Sequence, residues 1–136
     1  MKRPVWVLPE TVIALHEQLL STFGGASGVR DAGLLASALA RPENLLAYGT
    51  PTAFDLAASY AFGLVKNHPF VDGNKRSGFA VAVLFLELNG YRFVATEADA
   101  TVQTLALAAG EIKERAFAAW LETNSQVGRP APRRSK

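Results

Sequence analysis

Apolar residues recur at helical spacing along most of the chain, and glycine, proline or short polar clusters separate the runs. Pro9 suits the first turn of a helix, and Val12, Ile13, His16, Leu19, Leu20 and Phe23 follow in register up to Gly24-Gly25. Asp31 is placed to cap a short second helix with the stripe Leu34, Leu35, Ala38 and Leu39, which Arg41-Pro42 should stop. Residues 43–51, ENLLAYGTP, have no helical period and predict an irregular or hairpin-like connection. A third helix is predicted from about Thr52 to Asn67, through Leu56, Ala57, Tyr60, Ala61, Leu64 and Val65. Pro69 restricts His68 to extended backbone and ends that helix.

Beyond the loop PFVDG, a helix starting near Asn74 or Lys75 is apolar almost all round, through Phe79, Val81, Val83, Leu84, Phe85 and Leu86, and closes at Asn89-Gly90. Such a helix is expected at the centre of the domain. Thr96 with Asp99 resembles a capping box for a fifth helix containing Val102, Leu105 and Ala109 and ending at Gly110, and a last helix holds Ile112, Phe117, Trp120 and Leu121. No alternating, strand-like pattern runs longer than Tyr91 to Ala95. The expected class is therefore all-α, a compact bundle of about six helices with room for one small β-hairpin.

Composition narrows this picture. With 136 residues, 49% of them hydrophobic, the chain buries one sizeable core, so residues 1–124 are expected to form one domain and 125–136 a basic, disordered tail. Fourteen Lys and Arg stand against twelve Asp and Glu, but four of the cations lie in the last eight residues, RPAPRRSK; residues 1–128 carry ten basic and twelve acidic groups. The folded part thus lacks the excess of cations that would track nucleic-acid phosphates. There is no Cys, which excludes disulfides and thiolate zinc sites, and two histidines, His16 and His68, cannot build a multi-histidine metal site. The start MKRPVWVLPE has cations but no apolar run and cleavage site behind them, and the longest apolar stretch, Phe79 to Leu88, is about half a bilayer span. A cytoplasmic protein with no membrane contact is expected.

The chemistry is concentrated in His68-Pro69-Phe70-Val71-Asp72-Gly73-Asn74-Lys75-Arg76, nine residues between two apolar helices. A helix start offers unpaired N–H groups and the positive end of the helix dipole, so the turn Gly73-Asn74-Lys75 suits phosphate oxygens. Gly73 allows close backbone approach and a positive φ. Lys75 adds a point charge and Arg76 a bidentate fork. Asp72 is an oxygen donor of the kind that holds Mg²⁺ together with substrate phosphates, and His68 is a base of suitable strength to take a proton from a hydroxyl. Singly, each has an ordinary structural reading: a helix-ending histidine, a turn or capping aspartate, a solvated cationic helix edge. Together, a base, a metal ligand and a phosphate cradle within one turn favour chemistry. Phe70 and Phe79 read as core anchors.

The run HPFVDGNKR resembles the signature loop of the Fic/Doc (Fido) superfamily, and LPETVIALHEQLL, GVRDAGLLASALARPENLLAYG and GEIKERAFAAWLE resemble the Doc (death on curing) toxin branch. The resemblance covers roughly residues 5–124 and implies a bundle of about six helices with the motif loop between two central ones. Adenylylating Fic enzymes usually continue the motif as Gly-Asn-Gly-Arg with a second Arg three residues later; here Lys75 and Phe79 stand at those positions, which speaks against AMP transfer. Gly73 is the Fic-like residue, where Doc has a different small one. The Doc pattern implies a kinase that presents the γ-phosphate of ATP, with Mg²⁺, to a Ser or Thr hydroxyl of a target such as elongation factor Tu, blocking translation. On this resemblance His68 would deprotonate the hydroxyl, Asp72 would ligate Mg²⁺, and Asn74, Lys75 and Arg76 would hold phosphates. Residues 44–52 match in order the flap that docks the target peptide, with Tyr48 as a contact.

No Glu has Ser or Thr four residues before it, so the inhibitory helix of many Fic proteins is not expected here. The resemblance therefore implies inhibition in trans by a Phd-like antitoxin, the arrangement of a type II toxin–antitoxin system. Two other readings stay open: transfer of AMP, UMP or phosphocholine by the same loop, and a non-catalytic corepressor acting with an antitoxin. A His-Asp metal hydrolase is weak for want of further histidines.

Overall fold

Helix α1 (Pro9–Phe23) opens with proline at its first turn, where the missing N–H is not needed, and Gly24 closes it with φ 86°. In the computed structural model, which describes residues 3–128, five more helices follow: α2 (Ala32–Ala47), α3 (Ala53–Asn67), α4 (Asn74–Leu88), α5 (Glu97–Ala109) and α6 (Glu114–Thr123). Asp31 caps α2 through Leu34 N–H, and Thr96 caps α5 through Asp99 N–H. Thr52 and Asp55 form a reciprocal capping box at the start of α3. Six helices with one small sheet make the all-α class expected from the periodicity. No described helix is long and apolar enough to cross a membrane.

Two expectations at α2 are corrected. Pro42 does not stop the helix, which runs on to Ala47, so the irregular connection shrinks to Tyr48–Thr52. Proline withholds an N–H from the Ala38 carbonyl, but Leu35, Ala38, Leu39 and Pro42 are buried and Leu46 packs on the same core, so the apolar stripe continues past the lost bond. Burial outweighs the local signal. Likewise Ile112, read as part of the last helix, precedes the Lys113 N-cap of α6 and packs against the core from the turn.

The centre belongs to α3 more than to α4. Eleven of its fifteen residues are buried, and it packs against α2, α4, α5 and α6, whereas Glu87 and Leu88 of α4 are exposed. Glycines set the close crossings. A Cβ on Gly63 would lie 3.1 Å from both Cα and O of Ala38 in α2, and one on Gly78 of α4 would lie 2.9 Å from Val65 Cγ2 and 3.1 Å from Ala61 O in α3. Helix α1 lies on the outside of α4.

The sheet pairs β1 (Tyr91–Phe93) antiparallel with β2 (Ser125–Val127), Arg92 opposite Gln126. It therefore joins distant segments and is not a hairpin near residue 48. It also draws Ser125–Val127, assigned to the tail on sequence, into the fold. The rest of the basic tail, from Arg129 onward, lies outside the described residues. Phe93 fixes the sheet by edge contacts with Phe79 and Trp120, and Trp120 donates its indole N–H to Asp99 at 2.8 Å.

Replacing Gly78 with Ala should destabilise the protein by about 1–3 kcal/mol through overpacking at the α3–α4 crossing, measurable by urea denaturation. Alkaline pH gives a second test. Burial pushes the Tyr60 phenol up to about 12, against the opposing effect of Val7 N–H, which donates to its oxygen at 3.1 Å. The native state keeps this proton where the unfolded chain releases it near pH 10, so the contribution is complete below pH 10 and lost as pH rises towards 12. Stability should fall more steeply over that window in the wild type than in Tyr60→Phe; equal slopes would remove Tyr60 from the alkaline response.

Candidate active site

Helix α3 delivers His68 to the site as its C-cap, with N–H bonded to Leu64 O. His68 is not extended, as Pro69 suggested, but left-handed, with φ 55° and ψ 52°, alone among the described non-glycine residues in having positive φ. The proline disfavours the right-handed helical region, and the chain takes the left-handed alternative at a cost of about 1 kcal/mol. Arg30 holds the turn: its Nε donates to His68 O at 2.8 Å and its Nη2 to Asn67 O at 3.1 Å, satisfying carbonyls that the end of α3 leaves open. The backbone of the segment before α2 runs alongside, with Arg30 and Asp31 N–H donating to Pro69 O and Val71 N–H to Gly28 O.

The loop is closed by Asn74. This residue is 3% exposed; its Oδ1 accepts from Phe70 N–H at 2.9 Å and its Nδ2 donates to Phe70 O at 3.0 Å, with Phe70 fully buried. Those two bonds fix which end of the carboxamide is which. Nδ2 also donates to His68 Nδ1 at 3.1 Å, so Nδ1 is the accepting nitrogen and the neutral ring carries its proton on Nε2. Accepting a hydroxyl proton on Nε2 requires the other tautomer, and hence release of the Asn74 contact.

Asp72 is exposed, and both carboxylate oxygens accept backbone N–H groups: Oδ1 from Gly73 at 2.9 Å and Oδ2 from Ala26 at 3.2 Å. Each oxygen keeps a further lone pair for a cation. Gly25 allows this contact, since a Cβ there would stand 3.0 Å from Asp72 Oδ2. Gly73 precedes α4 with φ 77°, and no side chain among the described residues caps that helix, so its first-turn amides lack a capping partner, an arrangement that suits an anion. The two cations flank this point on different sides. Lys75 lines a groove with Val102, Leu105, Ala109 and Glu111 beside α5, while the Arg76 guanidinium stacks 4.1 Å from the centre of the Phe23 ring at the end of α1.

The structure brings His68, Asp72, Gly73, Asn74, Lys75 and Arg76 together around the start of α4. It does not bring Tyr48. That residue is the C-cap of α2, 89% exposed, and the N-terminal end of α2 is the one beside Pro69, so Tyr48 stands at the far end of a helix about 24 Å long. The segment that lines the motif is 24–31, not 44–52, because α2 and α3 are joined at the end remote from the loop. Sequence reading also missed Arg30, Gly25 and the role of His16, which donates to Asp72 O from within the core. For His16 a signal existed, a polar residue on an apolar stripe; for Arg30 there was none, since its partners are backbone carbonyls 37 and 38 residues away.

Asn74→Ala should cost about 2–3 kcal/mol by stranding the buried Phe70 N–H and C=O, as measured by denaturant unfolding. In the wild type, long-range ¹⁵N NMR of the neutral imidazole should show His68 protonated on Nε2; protonation on Nδ1 would contradict the contact described.

Comparison with known proteins agrees with this site. The model of the Fic/DOC family matches residues 6–86, from the approach to α1 through most of α4 and including the whole loop. Toxin Doc of Mycolicibacterium smegmatis is 46% identical over 76 residues, covering 54% of this chain and 58% of that protein. Protein kinase doc of Escherichia phage P1 is 35% identical over 107 residues, covering 78% of this chain and 84% of that protein. This chain thus aligns with little more than half the length of the first relative and with most of the second. With the loop, its flanking helices and these similarities in agreement, the chain belongs to the Fic/Doc family, on its Doc branch.

Proposed function

We propose that this protein is the toxin of a toxin–antitoxin pair and transfers the γ-phosphate of ATP to a Ser or Thr hydroxyl of a target protein, elongation factor Tu being the first candidate. The observation that carries the reading is the uncapped start of α4 at Gly73, with the Asp72 carboxylate, two cations and the His68 imidazole around it. The naming of the phage P1 relative as a protein kinase supports the same chemistry.

The residues fit the groups this requires. Unshielded first-turn amides at a left-handed glycine suit phosphate oxygens, and Lys75 and Arg76 supply charge from two sides. Among the described residues no three His, Asp or Glu side chains gather into a metal cage, but Mg²⁺ bound with a nucleotide needs only one or two carboxylates, and Asp72 retains acceptor capacity. When bound, ATP and Mg²⁺ supply the transferable phosphoryl group and neutralise charge upon it.

Catalysis by the chain itself is then mostly placement. The α4 amides and Lys75 hold phosphate oxygens, and Arg76, stacked on Phe23, adds positive charge at the first turn of the same helix. His68 orients the incoming hydroxyl and takes its proton on Nε2 once Asn74 has released Nδ1 and the ring has changed tautomer. Inhibition falls to a partner, an antitoxin of the Phd kind whose C-terminal segment folds on the toxin.

The decisive measurement is intact mass spectrometry of elongation factor Tu after incubation with the protein, ATP and Mg²⁺. A gain of one phosphate is expected, with the rate lowered at least a hundredfold in His68→Ala. A gain of AMP would replace phosphoryl with nucleotidyl transfer. Equal modification by His68→Ala would remove the histidine from the chemistry, and growth arrest on expression of His68→Ala would favour a binding role.

A further inference from the structure

One buried titratable side chain takes no part in the mechanism above. His16 of α1 is 1% exposed and lies flat on Phe70, ring centroids 3.7 Å apart and planes within 8°. Its Nε2 is 2.7 Å from the Asp72 carbonyl oxygen. A carbonyl only accepts, so Nε2 carries the proton. Nδ1 is buried with no hydrogen-bond partner among the described residues, the Glu17 carboxylate lying 3.8 Å away. A bare polar atom in the interior is unfavourable, and Leu or Phe would fill the space without it, so packing alone does not account for a histidine here.

The donor sets an orientation. The Asp72–Gly73 peptide is planar and trans, so a carbonyl held towards α1 turns the Gly73 N–H the opposite way. On that outward side Asp72 Oδ1 accepts it at 2.9 Å, and the next residue, Asn74, is the first of α4. The ring also backs Gly73 closely: a Cβ there would lie 3.6 Å from His16 Nε2. One hydrogen bond from α1 therefore orients the Asp72 carboxylate and the peptide from which α4 starts.

We propose that His16 is a positioning residue for the phosphate site. Its Nε2–H fixes the Asp72–Gly73 peptide and so aims the carboxylate and the first amides of α4 at the triphosphate and its divalent cation. This rests on the nucleotide-binding reading above, and adds to it a residue remote from the signature loop in sequence. The ring touches no substrate and acts only through the peptide that it holds.

Calorimetric titration with a non-hydrolysable ATP analogue and Mg²⁺ tests this in the wild type, His16→Phe, His16→Met and His16→Gln, alongside thermal melts and the ¹H–¹⁵N resonance of the Gly73 amide. Phe and Met fill the space without donating, whereas Gln can place an N–H near the position of Nε2. Expected are cooperative melting in the variants, at least tenfold weaker binding and a displaced Gly73 resonance in the Phe and Met forms, and recovery of most of the affinity in the Gln form. Wild-type affinity in His16→Phe or His16→Met overturns the proposal, as does a loss of affinity in all three that merely follows the melting temperature. A wild type that does not bind the analogue fails the functional reading, and the proposal with it; a wild type that binds, with Phe or Met forms that bind equally well, overturns the proposal alone.

Discussion

The carboxamide of Asn74 closes the loop on which the site depends. It bonds both polar groups of the Phe70 backbone and touches the His68 ring, so one buried side chain ties the end of α3, the loop and the start of α4 into a single turn. Buried amides of this kind must be fully paired, because a polar group stranded in the core costs more than an average hydrogen bond gains. That asymmetry gives the loop one conformation. Gly73 can begin α4 without a capping side chain because Asn74 fixes the turn from inside, leaving the outer amides open.

The closed loop is held in place by helices that approach closely. Gly63 lets α2 and α3 meet at Ala38, and Gly78 lets α3 and α4 meet at Ala61, so the two helices that carry the site are fixed by backbone contact. Support comes from α1 and the segment after it, through His16 to Asp72 O, Ala26 N–H to the Asp72 carboxylate, and Arg30 to the carbonyls of Asn67 and His68. The loop thus has partners in α1, in the segment after it and in Asn74, while no described side chain caps the opening at the first turn of α4. Lys75 and Arg76, neighbours in sequence, diverge around the helix and bracket that opening from α5 and from α1.

The His68–Asn74 contact links structure to reactivity. The arrangement that stabilises the loop also holds the imidazole in the tautomer that donates from Nε2. On the proposed function, stability of the loop and readiness of His68 as a base are opposed at this one hydrogen bond, and ordering of the hydroxyl substrate would supply what the Asn74 contact gives up. Left-handed backbone at His68, maintained by Arg30, belongs to the same compromise: it turns the side chain out of the end of α3 at some local cost.

Much of this was legible in the chain itself. Helical spacing, Pro9, the Asp31 and Thr96 caps and the glycine stops located six helices, because caps and apolar periods act within a few residues. Clustering of His68, Asp72, Asn74, Lys75 and Arg76 was visible for the same reason: they share one turn. Where distant segments compete with local preference, only the tertiary structure decided. Burial of Pro42 itself and packing of Leu46 on the core carried α2 onward, antiparallel packing of α2 on α3 sent Tyr48 away from the loop and brought 24–31 to it, and β2 formed because β1 offered an open edge 34 residues away. His16 and Arg30 belong with these, since what they hold is backbone, and backbone groups carry no mark in a sequence to show which remote side chain will meet them.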